Sequence, residues 1–198
     1  MSSLSRQQLV RWLSGIDITG KRVLDCGCGP EKYHARHWVK GTPADYHTLD
    51  VNPDFEPDFV FGLNGLSYFL PGGPRHTYYD VVFFLETAEH LWNPANALVN
   101  IHWWLKYGGE LVFSAPFINP IHDEVDYMRL TDEWWAKAAE ETGFYVTEIV
   151  PRVATDGWPI LHTFYRREGL RMSKCRLQGG EQHKLAWVGF MGRLTKGG

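Results

Sequence analysis

The sequence predicts an α/β fold: a Rossmann-like, doubly wound, mostly parallel seven-stranded sheet with helices on both faces and an antiparallel last strand. Three observations carry this. Short apolar runs alternate with helical patterns along most of the 198 residues. YDVVFFL, residues 79–85, is apolar at all but one position, the pattern of a parallel strand buried on both faces. A glycine-rich turn, CGCGP at 26–30, follows the first apolar run. It sits where open α/β sheets bind ligands, beyond the carboxyl ends of their strands.

Taken in order, Leu4 to Gly15 reads as a helix, with Ser5 and Gln8 spaced as a capping box and Leu9 and Leu13 on one face. KRVLDC (21–26) is the first strand. Pro30 to Lys40 reads as a helix, since proline suits a first turn, where its missing N–H costs nothing. Tyr46 to Val51 is the second strand and Phe59 to Phe61 a short third, with loop after it. Tyr79 to Leu85 is the fourth. Pro94 to Tyr107 reads as a helix capped by Asn93 and stopped by Gly108 and Gly109. Glu110 to Phe117 is the fifth strand, and Thr131 to Thr142 a helix with Gly143 beyond it. Phe144 to Val150 and Lys184 to Leu194 close the sheet. Between them, 152–180 reads as an insertion, with helix expected near Ile160 to Glu168. The expected organisation is one domain over 1–198, with an N-terminal helix in 1–20.

Composition narrows the function. Hydrophobic residues make up 44% and charged residues 22%, near the globular norm. The net charge of −3 and the lack of a basic block argue against a dedicated phosphate-backbone binder. Three cysteines are too few for a disulfide framework and suit a reducing, cytoplasmic compartment. No run of about 18 apolar residues is present to cross a membrane, and no signal peptide is evident. Aromatics reach 15%, and nine of them are Trp. Trp103–Trp104 and Trp134–Trp135 fall on helices, where adjacent positions point about 100° apart, so both members of a pair cannot face one core equally.

The turn at 26–30 excludes two cofactor classes. A phosphate-cradling loop needs GxxxxGK[ST], which is absent. A dinucleotide fingerprint needs a third glycine, where Lys32 stands. VLDCGCGP (23–30) instead resembles the first motif of class I S-adenosylmethionine (SAM)-dependent methyltransferases. LDVNP (49–53) resembles their second motif. YDVVFFLETAEHLWNP (79–94) and LKYGGELVFSAPF (105–117) resemble the fourth- and fifth-strand regions of the type 11 small-molecule methyltransferases. These four motifs run in register through about residues 21–150. The family's third glycine is replaced by Glu31, and its adenine-binding acid by Gly62.

The resemblance implies S-adenosyl-L-methionine as cofactor. It implies that Asp25, Cys26, Gly27 and Gly29 form the methionine end of its site and that Asp50, with Val51, receives the ribose hydroxyls. Adenine would lie at Leu63 and Asn64, and Glu86 would close the site after the fourth strand. Cys26 and Cys28 form a lone CxC, which is short of a zinc site and reads as small residues in a tight turn. Glu89 and His90, just before a helix, suit either a helix dipole or catalysis.

The acceptor side falls after the fifth strand. PFINPIHDEVDYMRLTDEWW places His122, Asp123, Glu124, Asp126, Tyr127 and Arg129 close together. Its HxxxDYxRxT arrangement resembles a segment of bacterial methyltransferases associated with sugars and cell-surface glycans. His122 and Asp126 are the expected catalytic pair, and Tyr127 and Arg129 the expected substrate contacts; Asp126 and Arg129 could equally pair to hold the loop. No metal is expected. The expected partner is a small molecule, a saccharide in the resemblance, rather than nucleic acid or membrane, with the protein a monomer or homodimer. SAPF (114–117) looks like the amino-DNA methyltransferase motif, but it follows the fifth strand, where that motif would follow the fourth.

Overall fold

The computed structural model describes residues 4–66, 72–118, 124–154 and 186–197. Its elements are α1 (Leu4–Leu13), β1 (Arg22–Cys26), β2 (Asp45–Asp50), β3 (Phe59–Val60), β4 (Tyr79–Leu85), α2 (Pro94–Trp104), β5 (Leu105–Pro116), α3 (Asp132–Glu141), β6 (Phe144–Ala154) and β7 (Ala186–Lys196). They form a seven-stranded sheet in the order β3-β2-β1-β4-β5-β7-β6. The first five strands are parallel, and β7 runs antiparallel between β5 and β6.

Burial on both sheet faces follows from the alternation of side chains along a strand. In β4, Val82 and Phe84 join Leu24, Leu98, Ile101, Leu111, Phe113 and Trp135 in one core, beneath α2 and α3. Val81 and Phe83 point the other way and join Val23, Val112 and the α1 residues Leu9 and Leu13. The paired tryptophans divide as their helical spacing requires. Trp104 and Trp135 are buried, and Trp135 stacks on Phe113 at 3.9 Å between ring centroids. Trp103 and Trp134 are half-buried at the rim of the same core.

Several boundaries differ from the sequence reading, each for a local reason. Pro30–Lys40 is not an α-helix but two single 3-10 turns, Glu31–Tyr33 and Ala35–His37. In an α-helix the Ala35 N–H would go to the Glu31 carbonyl four residues back. Here the Asp25 carboxylate takes it at 2.7 Å, and His34 between the turns is extended at ψ 138°. α1 begins at Leu4, so Ser5 lies within its first turn and is not its cap. α2 ends at Trp104 because Leu105 turns extended and pairs with Tyr79, so β5 starts five residues early. α3 begins at Asp132, with Thr131 as its cap, accepting from Trp134 N at 3.1 Å. β6 continues to Ala154, past the expected start of the insertion. The rest of that insertion, including the helix expected near 160–168 and Trp158, lies outside the described residues. No helix among the described residues is long and apolar enough to cross a membrane.

The topology positions the site. The chain leaves β1 toward β2 on one side and returns to β4 on the other. The crevice at that switch point lies beyond Cys26, Asp50 and Leu85, the ends of β1, β2 and β4.

Candidate active site

A cleft of about 1320 Å³ opens at the switch point. The loop after β1 forms its floor. Gly27 has φ +68°, and a Cβ there would lie 2.3 Å from the Thr87 side chain. The turn therefore needs glycine both for its left-handed backbone and for the close approach of the loop after β4. Asp25 is 3% exposed and accepts from Ala35 N at 2.7 Å and Tyr46 Oη at 2.5 Å. Burial raises its pKa, opposed by those two hydrogen bonds. Asp50 accepts from Gly29 N at 2.9 Å through one oxygen and from Asn52 N at 2.9 Å through the other, which ties the β1 and β2 loops together.

Asp25, Gly27, Gly29, Asp50, Val51, Leu63, Asn64 and Glu86 all line this cleft. Asn64 is also braced against the start of α2, its Oδ1 accepting from Asn93 N at 3.0 Å. Cys26 does not reach the cleft; its side chain is fully buried in the core. Burial pushes the Cys26 thiol well up and the Cys28 thiol to about 12, so both keep their protons.

The other end of the cleft holds charge. Glu86, at a left-handed φ of 48°, accepts from Ser114 Oγ at 2.7 Å and from Arg152 Nη2 at 2.8 Å. Arg152 is 2% exposed and donates from the same nitrogen to the Ala115 carbonyl at 2.9 Å. Gly189 of β7 makes room for it, since a Cβ there would meet Arg152 Nη2 at 2.4 Å. Glu89 is buried, and its pKa is pushed up to about 8, first by burial and then by the negative charge of Glu86. His90, Glu124 and Val125 line the wall.

The structure divides the residues expected after β5. Asp126, its side chain fully buried, is gripped by Arg129 through both guanidinium ends. Asp126, Tyr127 and Arg129 are not part of the cleft lining, which this segment enters through Glu124 and Val125. Tyr127 is 57% exposed, with its ring edge-on to exposed Trp92 at 6.1 Å. His122 and Asp123 lie outside the described residues. Sequence reasoning missed Arg152, Ser114, Tyr46 and Thr87. Arg152 had a signal, a lone cation in the strand-like run IVPRV; the other three had none, because these partners are 21 to 61 residues away.

With this geometry in place, the comparisons decide the family. A model described as a methyltransferase domain matches residues 4–149. The chain belongs to this methyltransferase family. It is a class I methyltransferase whose methyl donor is S-adenosyl-L-methionine. It is 29% identical over 127 residues to a ubiquinone biosynthesis O-methyltransferase of Azotobacter vinelandii, covering 56% of this chain and 51% of the relative. It is 26% identical over 137 residues to a tRNA U34 carboxymethyltransferase of Colwellia psychrerythraea, covering 60% and 41%. The chain thus spans about half the length of the curated relatives it matches. A crystal structure of a SAM-dependent methyltransferase from Mesorhizobium loti superposes with a TM-score of 0.62 at 14% identity, over 97% of this chain and 98% of that one, a likeness of fold.

The residues present fit the cofactor. The cleft has a glycine turn that a ligand can approach closely, a buried acid at the end of β2, and an extension to Leu63 and Asn64. Bound there, SAM would supply an electrophilic methyl carbon on a sulfonium.

Proposed function

We propose that this methyltransferase moves a methyl group from SAM to the hydroxyl of a small polar acceptor. The carrying observation is the continuity of the cleft. It runs from the backbone-rich β1–β2 end, suited to a cofactor, to a charged wall at Glu86, Thr87 and His90, suited to an acceptor. In this reading Asp25, Gly27 and Gly29 bind the methionine portion, Asp50 with Val51 the ribose, and Leu63 with Asn64 the adenine. Cys26 supports the turn from behind, and Glu86 borders the methyl.

The segment after β5 reaches the acceptor wall through Glu124 and Val125. Asp126 acts by fixing Arg129, and these two with Tyr127 would meet an acceptor only outside the cleft lining; the catalytic role expected of His122 falls outside the described residues. The exposed Trp92–Tyr127 pair offers a face on which a sugar or a phenol could stack. The Azotobacter relative, an O-methyltransferase, supports the hydroxyl acceptor. A tRNA acceptor is the second reading, favoured by the Colwellia relative and opposed by the net charge of −3. Buried, protonated Cys26 and Cys28 suit a reducing, cytoplasmic setting.

The cofactor step is tested by thermal unfolding. SAM at a hundred times its Kd should add roughly 2.7 kcal/mol, a Tm rise on the order of 5–10 °C. Asp50→Ala should weaken SAM binding by roughly 1.5–3 kcal/mol. An equal rise with NAD, or none with SAM, would remove the reading. A methyl-transfer screen over sugars, nucleotide sugars, small phenols and tRNA, with products weighed by mass spectrometry, tests the acceptor.

A further inference from the structure

The turn Ala88–His90 follows β4 and sets His90 on the cleft wall beside Thr87 and Val125. His90 Nδ1 is hydrogen-bonded to the Val125 backbone carbonyl. A carbonyl only accepts, so the ring hydrogen sits on Nδ1 and Nε2 is the basic nitrogen of the neutral imidazole. Nε2 lies 3.7 Å from Glu89 Oε1. Glu89 is 1% exposed, and neither of its carboxyl oxygens has a hydrogen-bond partner among the described residues. Its backbone carbonyl accepts from Tyr127 N at 2.8 Å and Met128 N at 3.2 Å, which fastens the turn to the segment that carries Val125. A buried carboxyl without hydrogen bonds is costly, and such a group beside an imidazole on a reaction cleft calls for a role.

We propose that His90 takes the proton of the methyl acceptor and that Glu89 is the positioning residue behind it. The proposal rests on the reading of a hydroxyl acceptor in this cleft. The acceptor oxygen forms a bond to the SAM methyl carbon as the carbon–sulfur bond breaks, and that electron pair stays on sulfur, giving S-adenosylhomocysteine. The hydroxyl proton passes to His90 Nε2. In-line approach supplies most of the acceleration, and removing the proton keeps the oxygen nucleophilic.

The charges around Glu89 suit this role. Among the described residues it faces Glu86 beyond β4, Arg152 from β6, Asp126 with Arg129 from the segment after β5, and His90 on its own turn. With its pKa near 8, Glu89 carries a proton at neutral pH before the reaction. An imidazolium at 3.7 Å favours the carboxylate. The pair can then release one proton to solvent along the exposed edge of His90 and hold the charge of the turn near zero.

The test uses the full chain labelled with 15N-histidine and saturated with S-adenosylhomocysteine, with His90→Gln assigning the resonance. At neutral pH the ring should show the Nδ1–H tautomer, in the wild type and in Glu89→Gln alike, because the Val125 carbonyl fixes it. An Nε2–H tautomer overturns the proposal. With catechol as the acceptor probe, His90→Gln should lower kcat by about 100-fold or more while SAM affinity stays within about twofold. Glu89→Gln, which cannot become a carboxylate when His90 takes its proton, should lower kcat by about tenfold and leave KM unchanged. Turnover abolished by EDTA and restored by Mg²⁺ would make the pair metal ligands and overturn it. An acid limb lost in His122→Ala but kept in His90→Gln would overturn it too. If the protein binds SAM yet leaves catechol unmethylated, the acceptor class is at fault, and the tautomer decides the pair by itself.

Discussion

At the β1–β2 end of the cleft, buried acids are answered by uncharged donors: Asp25 by Ala35 N and Tyr46 Oη, Asp50 by Gly29 N and Asn52 N. At the β4–β5 end, Glu86 and Asp126 are answered by Arg152 and Arg129, and Glu89 by an imidazole at 3.7 Å. Three of those four donors are backbone N–H groups that any sequence supplies once the chain turns there, which suits a ligand that does not vary. The second end depends on particular side chains from β4, β5, β6 and the loop after β5. Its balance is lost when one partner goes.

The largest predicted effect breaks the charged end. Arg152→Met leaves Glu86 with Ser114 as its remaining side-chain partner among the described residues, at a left-handed backbone position. It should cost about 3 kcal/mol, the lower part of the range for a broken buried pair because the Glu86 side chain is 29% exposed. Thermal unfolding should register a Tm lower by about 6–12 °C, and adding Glu86→Gln should restore part of it. A change near zero would mean that this end is no more charge-dependent than the other.

A smaller effect probes the backbone-held end. Gly27→Ala drives a Cβ into Thr87 and keeps φ positive, at about 2 kcal/mol. Denaturant titration should show Thr87→Ala recovering the larger share of the steric part, since the Cβ it keeps still lies 2.9 Å away, and leaving about 1 kcal/mol of backbone strain. Full recovery would show that the left-handed turn itself costs nothing here.

The smallest effect, taken per pH unit, concerns Glu89. Its folded pKa of about 8 lies above the unfolded glutamate value of about 4.3. The folded state therefore binds the extra proton between those values. The stability this group contributes is fully present below about pH 4 and is lost as pH rises through about 8, by up to about 1.4 kcal/mol per unit. Denaturation midpoints across pH 5–8 should fall more steeply in the wild type than in Glu89→Gln. Parallel profiles would place Glu89 in a more solvated setting than the buried carboxyl described above.

Legibility in the sequence followed the range of the interactions. YDVVFFL declared itself a buried strand because burial on two faces leaves no polar period to disguise it. Asp25, Gly27, Gly29 and Asp50 were legible because a turn needing left-handed backbone leaves a local signature. Pro30–Lys40 was misread because Asp25, ten residues before Ala35, takes an N–H that local propensity assigns to a helix. Arg152 could not be connected to Glu86, 66 residues away, by any local pattern.

The sequence by itself determined the α/β alternation, the parallel central strands, the glycine turn at the end of β1 and the acid at the end of β2. Each of these is set by periodicity or by backbone sterics within a few neighbours. Only the tertiary structure decided what stands at the acceptor end. It closed Asp126 onto Arg129, brought Arg152 across the sheet to Glu86, and left Glu89 buried against His90. The physical reason is that the cost of a buried charge depends on what surrounds it. For these residues the surroundings come from strands and loops that meet only after the sheet has formed.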